Sequence, residues 1–93
     1  MIVGICRLEL HLPESGSLKS KRSILKSIIA RIRNKHNVSV SEIGDQELWQ
    51  RALLAVVVVS NETRFANQVL SAVVNMVETE TRLELLDYSL EML

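Results

Sequence analysis

Cysteine is almost missing from this chain: Cys6 is the only one, so no disulfide can form within it. A small fold without such staples fits a reducing compartment, and the cytoplasm is the expected location. Aromatic residues are nearly as scarce. Trp49, Phe65 and Tyr88 are the only three, which leaves the core to Leu, Ile and Val and offers little for stacking on bases or sugars. Neither sign of charge dominates. Eleven Lys and Arg face eleven Asp and Glu, so no global field argues for nucleic acid or membrane, and only a local concentration of charge can do so. Long hydrophobic runs are absent too: the longest, Ala52 to Val59, has eight residues, against the roughly 20 that a membrane-spanning helix needs. The stretch from Met1 to Arg7 has no basic lead, and its apolar character breaks at Arg7 and Glu9, so no signal peptide is expected. No catalytic, metal-binding or phosphate-loop motif occurs.

What is present is ordinary globular material. Hydrophobic residues make up 47% of the 93 and charged residues 24%, which excludes a disordered acidic or proline-rich chain. The length predicts one compact domain spanning 1–93 and excludes a two-domain enzyme with a cleft between lobes. Ile2, Gly4, Cys6, Leu8, Leu10 and Leu12 alternate with Val3, Ile5, Arg7, Glu9 and His11, the period of two that marks a first strand. Pro13 to Ser17 is a loop with Ser17 as helix N-cap. Leu18, Leu25, Ile28, Ile29 and Ile32 then recur at helical spacing and predict a helix to about Lys35. Asn37 to Ile43 alternates polar and β-branched residues as a short edge strand. Arg51 to Ser60, apolar on both alternating faces, is a central strand. Ser60 or Asn61 caps a second helix ending near Glu80, with Phe65, Val69, Ala72, Val73, Met76 and Val77 on one side. Leu86, Tyr88, Leu90 and Met92 form the row of a last strand; Leu83 and Leu85 are out of phase with it, which predicts a bulge near Leu85.

The order β-α-β-β-α-β, with crossovers of helical length, predicts an α+β ferredoxin-like sandwich: a four-stranded antiparallel sheet of order 4-1-3-2 with two helices on one face. The other face lacks a cover. It would show Val3 and Ile5 from the first strand and aliphatic residues such as Val57 from the third, too apolar for comfortable solvation, so a second subunit is expected there. Leu70 and Val74 widen the apolar arc of the second helix beyond what one sheet face needs, which points the same way.

Charge order is the most informative functional feature. Lys19, Lys21, Arg22, Lys26, Arg31, Arg33 and Lys35 are seven of the eleven basic residues, and no acid lies between Glu14 and Glu42. From Glu62 onward six acids face only Arg64 and Arg82, so the molecule is electrically polarised. At about 100° per residue, Lys19, Arg22, Lys26 and Arg33 follow one flank of the first helix, beside Ser20, Ser23, Ser27 and Ala30. Such a ridge suits a phosphate backbone, whose counterions it would release. The competing reading is a solvated helix whose charges pair with the acidic half of the same or a neighbouring molecule. The central strands carry no exposed aromatic pair, so recognition would be of backbone and shape, with Trp49, Gln50 and Arg51 as a secondary contact. Trp49 itself reads first as a packing residue.

Other residues take blander roles. Arg7, Glu9 and His11 share a strand face, where polar neighbours pair routinely without doing acid–base chemistry. His36 closes a helix where positive charge suits the dipole and has no metal-ligand company. Cys6, in the apolar row, is a buried inert thiol. Acylphosphatases share the fold but need an arginine-bearing, glycine-rich cradle after the first strand, whereas this loop has only Gly16 and no arginine.

At Ser17-Leu18-Lys19-Ser20-Lys21-Arg22, Asn37-Val38-Ser39-Val40-Ser41-Glu42 and Trp49-Gln50-Arg51-Ala52 the chain resembles the YlxP-like family of small uncharacterised bacterial proteins. The likeness covers essentially the whole chain. Its shared positions fall at Leu18, Lys19, Lys21, Arg22, Asn37, Val38, Ser39, Glu42, Trp49, Gln50 and Arg51. Two positions depart: His36 stands where the family usually has Phe, and Ser41 where it often has Ala. The resemblance implies a ferredoxin-like domain whose genes often lie beside translation-initiation and ribosome-maturation genes, hence a ribosome-linked role.

The expectation is a non-catalytic, cytoplasmic accessory protein without cofactor or metal. It would bind ribosomal RNA or a ribosomal particle through Lys19, Lys21, Arg22, Lys26 and Arg33, with Arg51 beside them. The alternative is a homodimeric protein-interaction module acting through the apolar sheet face at Val3, Ile5 and Val57.

Overall fold

Alternation and helical periodicity resolve into six elements in the structure, a computed structural model describing Met1–Leu93. They are β1 (Ile2–His11), α1 (Leu18–Lys35), β2 (Ser39–Gly44), β3 (Arg51–Ser60), α2 (Thr63–Glu78) and β4 (Glu84–Met92). The strands form one antiparallel sheet of order β2-β3-β1-β4, so the fold is the ferredoxin-like α+β sandwich. No helix is long and apolar enough to cross a membrane.

The even-numbered row of β1 (Cys6, Leu8, Leu10) and that of β3 (Ala52, Leu54, Val56, Val58) are buried beneath the helices. They lie in register, Cys6 opposite Val56 and Leu8 opposite Leu54, so a single aliphatic layer forms across the two central strands. α1 contributes Leu25, Ile28 and Ile32, and α2 contributes Ala66, Leu70, Val73, Val74 and Val77. Gly4 continues the β1 row where space is shortest. A Cβ there would lie 3.0 Å from both Leu70 Cδ1 and Val58 Cγ1, so the absent side chain lets α2 approach the sheet.

The ends of α1 follow their chemistry. Ser17 Oγ accepts the Ser20 N–H at 3.0 Å, satisfying an otherwise unpaired donor. His36 leaves the helix in an extended conformation while its N–H still donates to the Ile32 carbonyl, and Arg33 and Lys35 occupy the last turn, where the dipole favours cations. α2 begins differently from the expectation. Its cap is Glu62, without a side-chain bond, and Ser60 Oγ instead accepts the Glu62 N–H at 3.0 Å, shaping the turn before the helix.

The buried arc of α2 also departs from the pattern read in the sequence. Leu70 and Val74 are in the core, while Phe65 is 53% exposed. The arc is therefore rotated toward residues 66, 70, 73, 74 and 77, and Leu70 and Val74 are not surplus apolar surface. The expected second subunit therefore draws no support from α2.

β4 carries the expected irregularity: Glu9 pairs with Asp87 but Leu10 with Leu85, leaving Leu86 as the extra residue. β2 has a second one, with Ile43 between the paired Glu42 and Gly44. On the helix-free side of the sheet Val3 lies opposite Val59 and Ile5 opposite Val57, flanked by the Arg7–Glu91 ion pair.

Candidate nucleic-acid interface

The first helix places its basic residues by rotation, and the structure separates them into three groups. Lys19, Arg22, Lys26, Arg33 and Lys35 are exposed and none has a carboxylate within ion-pair distance. Arg31, on another side of the helix, pairs with Glu80 at 2.9 Å. Lys21 is fully buried.

Lys21 corrects the expected site. Its position continues the core stripe of Leu25, Ile28 and Ile32 at spacings of four, three and four, so the helix aims it inward despite its charge. Its Nζ donates to Glu42 Oε2 at 2.9 Å, Asp45 O at 2.8 Å, Arg51 O at 3.1 Å and Gln46 O at 3.3 Å. An ammonium has three N–H donors for these four acceptors, so the longest contact is a shared one. Such a side chain cannot reach a phosphate, because it is 0% exposed and its donors are already engaged. Its role is to tie α1 to the β2–β3 connection. No buried side-chain polar atom in the molecule lacks a partner.

The connection thus held has a second tie. Gln50 Nε2 donates to Pro13 O at 3.2 Å and Ser15 O at 3.4 Å, joining it to the loop before α1. Asp45 takes a positive φ of 60°, in the left-handed region that Asp tolerates better than most residues. Leu48 and Trp49 project outward from this braced loop, 50% and 56% exposed. Trp49 is therefore a surface residue, contrary to its first reading as packing. Arg51 follows it, also exposed, and lines the same hollow as Leu48, Trp49 and Gln50.

Between α1 and the edge strand β2 runs an open groove of about 450 Å³. Arg22, Lys26 and Arg33 line it together with Leu25, Ile29 and Val40, and with Glu42, whose charge Lys21 meets. Arg33 Nη2 donates to the Val40 carbonyl at 2.8 Å, which fixes that guanidinium against the edge of β2. Three members of the flank read from helical arithmetic, Arg22, Lys26 and Arg33, thus share this groove, with Arg33 partly committed.

Residues 3–90 match the family model described as "Protein of unknown function (DUF503)". The chain belongs to this family. It is also 36% identical over 83 residues to the protein of Bacillus subtilis (strain 168) named "Uncharacterized protein YlxP", a match covering 89% of this chain and 90% of that one. Membership and the YlxP-like resemblance agree.

The three sequence blocks that carried the resemblance meet in space. Lys21 of the first, Glu42 of the second and the backbone of Arg51 of the third join around one ammonium group. Sequence reading missed this cluster, although a lysine in phase with Leu25, Ile28 and Ile32 was the available signal.

Elsewhere Arg31 and Arg82 converge on the Glu80 carboxylate, and the other polar contacts are single pairs. Arg7 pairs with Glu91 at 3.1 Å and His11 Nδ1 lies 3.7 Å from Glu84, both across to β4. Cys6 is 0% exposed, and burial pushes its thiol up to about 11, so it stays protonated at neutral pH. No group of three or more His, Cys, Asp or Glu side chains is placed to hold a metal ion. Val3, Ile5 and Val57 do lie together on the helix-free face, around the Ile5–Val57 pair.

Proposed function

We propose that the protein is a non-catalytic accessory factor that binds ribosomal RNA or a ribosomal particle through Lys19, Arg22, Lys26 and Arg33 of α1, with Arg51 at the start of β3 as a further contact. The observation carrying this reading is that five cations of α1 have no carboxylate partner. Had the helix been basic in order to pair with the acidic half of its own chain, those residues would be spent as Arg31 is. An uncompensated line of charge on one helix is instead the footprint that attracts phosphate. The ribosome-linked gene neighbourhood that the family resemblance implies supports a ribosomal partner.

Co-sedimentation with ribosomal subunits at low and moderate salt tests it. Four phosphate contacts give a slope of log affinity on log salt of about −3. The double variant Lys19→Glu, Lys26→Glu is expected to abolish stoichiometric binding while melting as the parent does. A folded parent protein that fails to sediment with either subunit at low salt would refute the reading.

A second reading rests on a different surface. The uncovered Val3–Val59 and Ile5–Val57 pairs support a homodimer through the sheet face. Analytical ultracentrifugation decides it: Ile5→Asp or Val57→Asp should convert a dimer to a folded monomer, and a monomeric parent at high concentration excludes it.

A further inference from the structure

The backbone of β4 divides between two directions. Val3 N–H donates to the Leu93 carbonyl at 3.1 Å and Leu93 N–H to the Val3 carbonyl at 2.8 Å. In an antiparallel ladder such exchanging pairs alternate with pairs whose amides turn away from each other. Glu91 opposite Ile5 and Ser89 opposite Arg7 are therefore bonded to β1, while Tyr88, Leu90 and Met92 turn their N–H and C=O groups outward at the edge of the sheet. Of these groups the Tyr88 N–H is met within the chain, by Asp87 Oδ1 at 2.8 Å.

The same alternation, carried through β1 and β3, turns Val40 and Glu42 of β2 outward at the opposite edge. That edge is short and guarded: β2 has six residues with Ile43 bulged, and Arg33 covers the Val40 carbonyl at 2.8 Å. β4 is nine residues long and carries an apolar row besides. Tyr88 opposite Leu8 and Leu90 opposite Cys6 point to the helix side of the sheet, yet they are 48% and 37% exposed. Unpaired amides and uncovered apolar side chains on the same residues mark the place of a further strand.

That strand must be apolar toward the helices and polar on the other face, and β4 itself has this pattern. Run antiparallel to its own copy about Leu90, it sets Leu90 opposite Leu90 and Tyr88 opposite Met92 on the apolar side, with Ser89 opposite Glu91 on the polar side. Charge selects this register. Centring on Ser89 would set Asp87 against Glu91, and centring on Glu91 would set that residue against itself, both like-charge pairs. About Leu90 no two carboxylates are opposed, and Glu91 is already held by Arg7 at 3.1 Å.

We propose that β4 pairs antiparallel with β4 of a second copy, joining two four-stranded sheets edge to edge across a twofold axis at Leu90. Leu90 N–H and C=O exchange bonds with those of the second Leu90, and Met92 N–H meets the Tyr88 carbonyl. The bulge at Leu86 ends the paired stretch. Directly opposed residues point to the same side, so the helices of both copies lie on one face. The α1–β2 groove is at the far end of the strand order from β4, so the unpaired cations of both copies stay open, and this inference stands independently of the RNA reading.

Sedimentation of the full-length protein over a range of concentrations tests it. The parent should be a dimer. Leu90→Lys sets two ammonium groups face to face and should weaken the association at least about tenfold. Ile5→Asp, on the helix-free face, should leave it unchanged. The register is tested by cross-linking: Cα atoms of an exchanging pair lie about 5.5 Å apart, within disulfide range. Under copper-phenanthroline oxidation Leu90→Cys should therefore give a covalent dimer readily, and Ser89→Cys, with Glu91 opposite, should give little. The native Cys6 is 0% exposed and stays out of the reaction.

A monomeric parent at high concentration, with no cross-link through Leu90→Cys, overturns the proposal. So does a dimer that survives Leu90→Lys; its loss in Ile5→Asp then assigns it to the sheet face. Oligomers that keep growing with concentration overturn it in favour of β4 adding to β2 of the next copy, a contact that does not close. Melting temperatures matching the parent's keep these outcomes clear of unfolding.

Discussion

Replacing Lys21 with Met tests the central structural claim, because the two side chains have similar length and apolar stems while only one carries an ammonium. The change leaves the Glu42 carboxylate, 20% exposed, without its 2.9 Å partner, and removes donors from three carbonyls. Breaking a buried ion pair by deleting one member costs about 3–5 kcal/mol. Asp45 and Gln46 are surface residues and Glu42 retains some access to water, so hydration recovers part of the loss. The lower end, about 3 kcal/mol, is therefore expected, a large share of the 5–15 kcal/mol typical of a domain. Urea unfolding should show a midpoint lowered by roughly 2 M, taking a slope of about 1.5 kcal/mol/M. Adding Glu42→Met removes the orphaned carboxylate, and the double variant should recover at least about 1 kcal/mol. A loss below about 1 kcal/mol in the single variant, or a double variant no better than the single, would refute the reasoning.

Glu80, 6% exposed at its side chain, is bound by Arg82 and Arg31, and the Arg82 hydrogen bonds hold its carboxyl down to about 2 from an ordinary value of 4.5. A carboxylate with a lowered folded pKa adds stability that is complete above 4.5 and disappears as the pH falls through about 2. Because both guanidiniums are about half exposed and screened by solvent, Glu80→Gln should cost on the order of 2 kcal/mol at neutral pH. It should also flatten the acid limb of the stability curve; a limb as steep as the parent's would assign it to other carboxylates. Cys6, its thiol raised to about 11 by burial, should react with a disulfide reagent at neutral pH only as fast as the protein opens. Labelling that outpaces amide exchange of β1 would contradict the burial.

Most of the architecture was legible because one strong pattern determined each element. The period of two in β1 and the double-sided apolar run of β3 identify the central pair, and the phase slip at Leu85 marks the bulge that frees Leu86. What was not legible has physical causes. Phe65 was assigned to the core face of α2 because helical spacing fixes relative angles only, and the sheet selects which part of a broad apolar arc it covers. Trp49 was assigned to packing because large aromatics usually are buried, while its exposure depends on a loop geometry set by hydrogen bonds from Lys21 and Gln50. Lys21 was assigned to the surface because of its charge, although its spacing from Leu25 and Ile28 was that of a core residue.

This last point changes the electrostatics as well as the fold. Seven cations in the first helix region suggest one continuous positive surface, but Lys21 neutralises Glu42 inside the protein and Arg31 neutralises Glu80 on another side. Five cations of α1 remain unpaired, and three of them, Arg22, Lys26 and Arg33, line the groove facing β2. The two kinds of lysine should therefore separate in one experiment. Lys26→Gln removes a phosphate contact and should reduce the magnitude of the salt slope by about 1 with stability unchanged. Lys21→Met should lower stability while leaving the slope of the folded protein as it was, since its charge never faced the ligand. If Lys21→Met instead lowers the slope without lowering stability, the ammonium is at the surface in solution, and the bracing of the Trp49 loop must be attributed elsewhere.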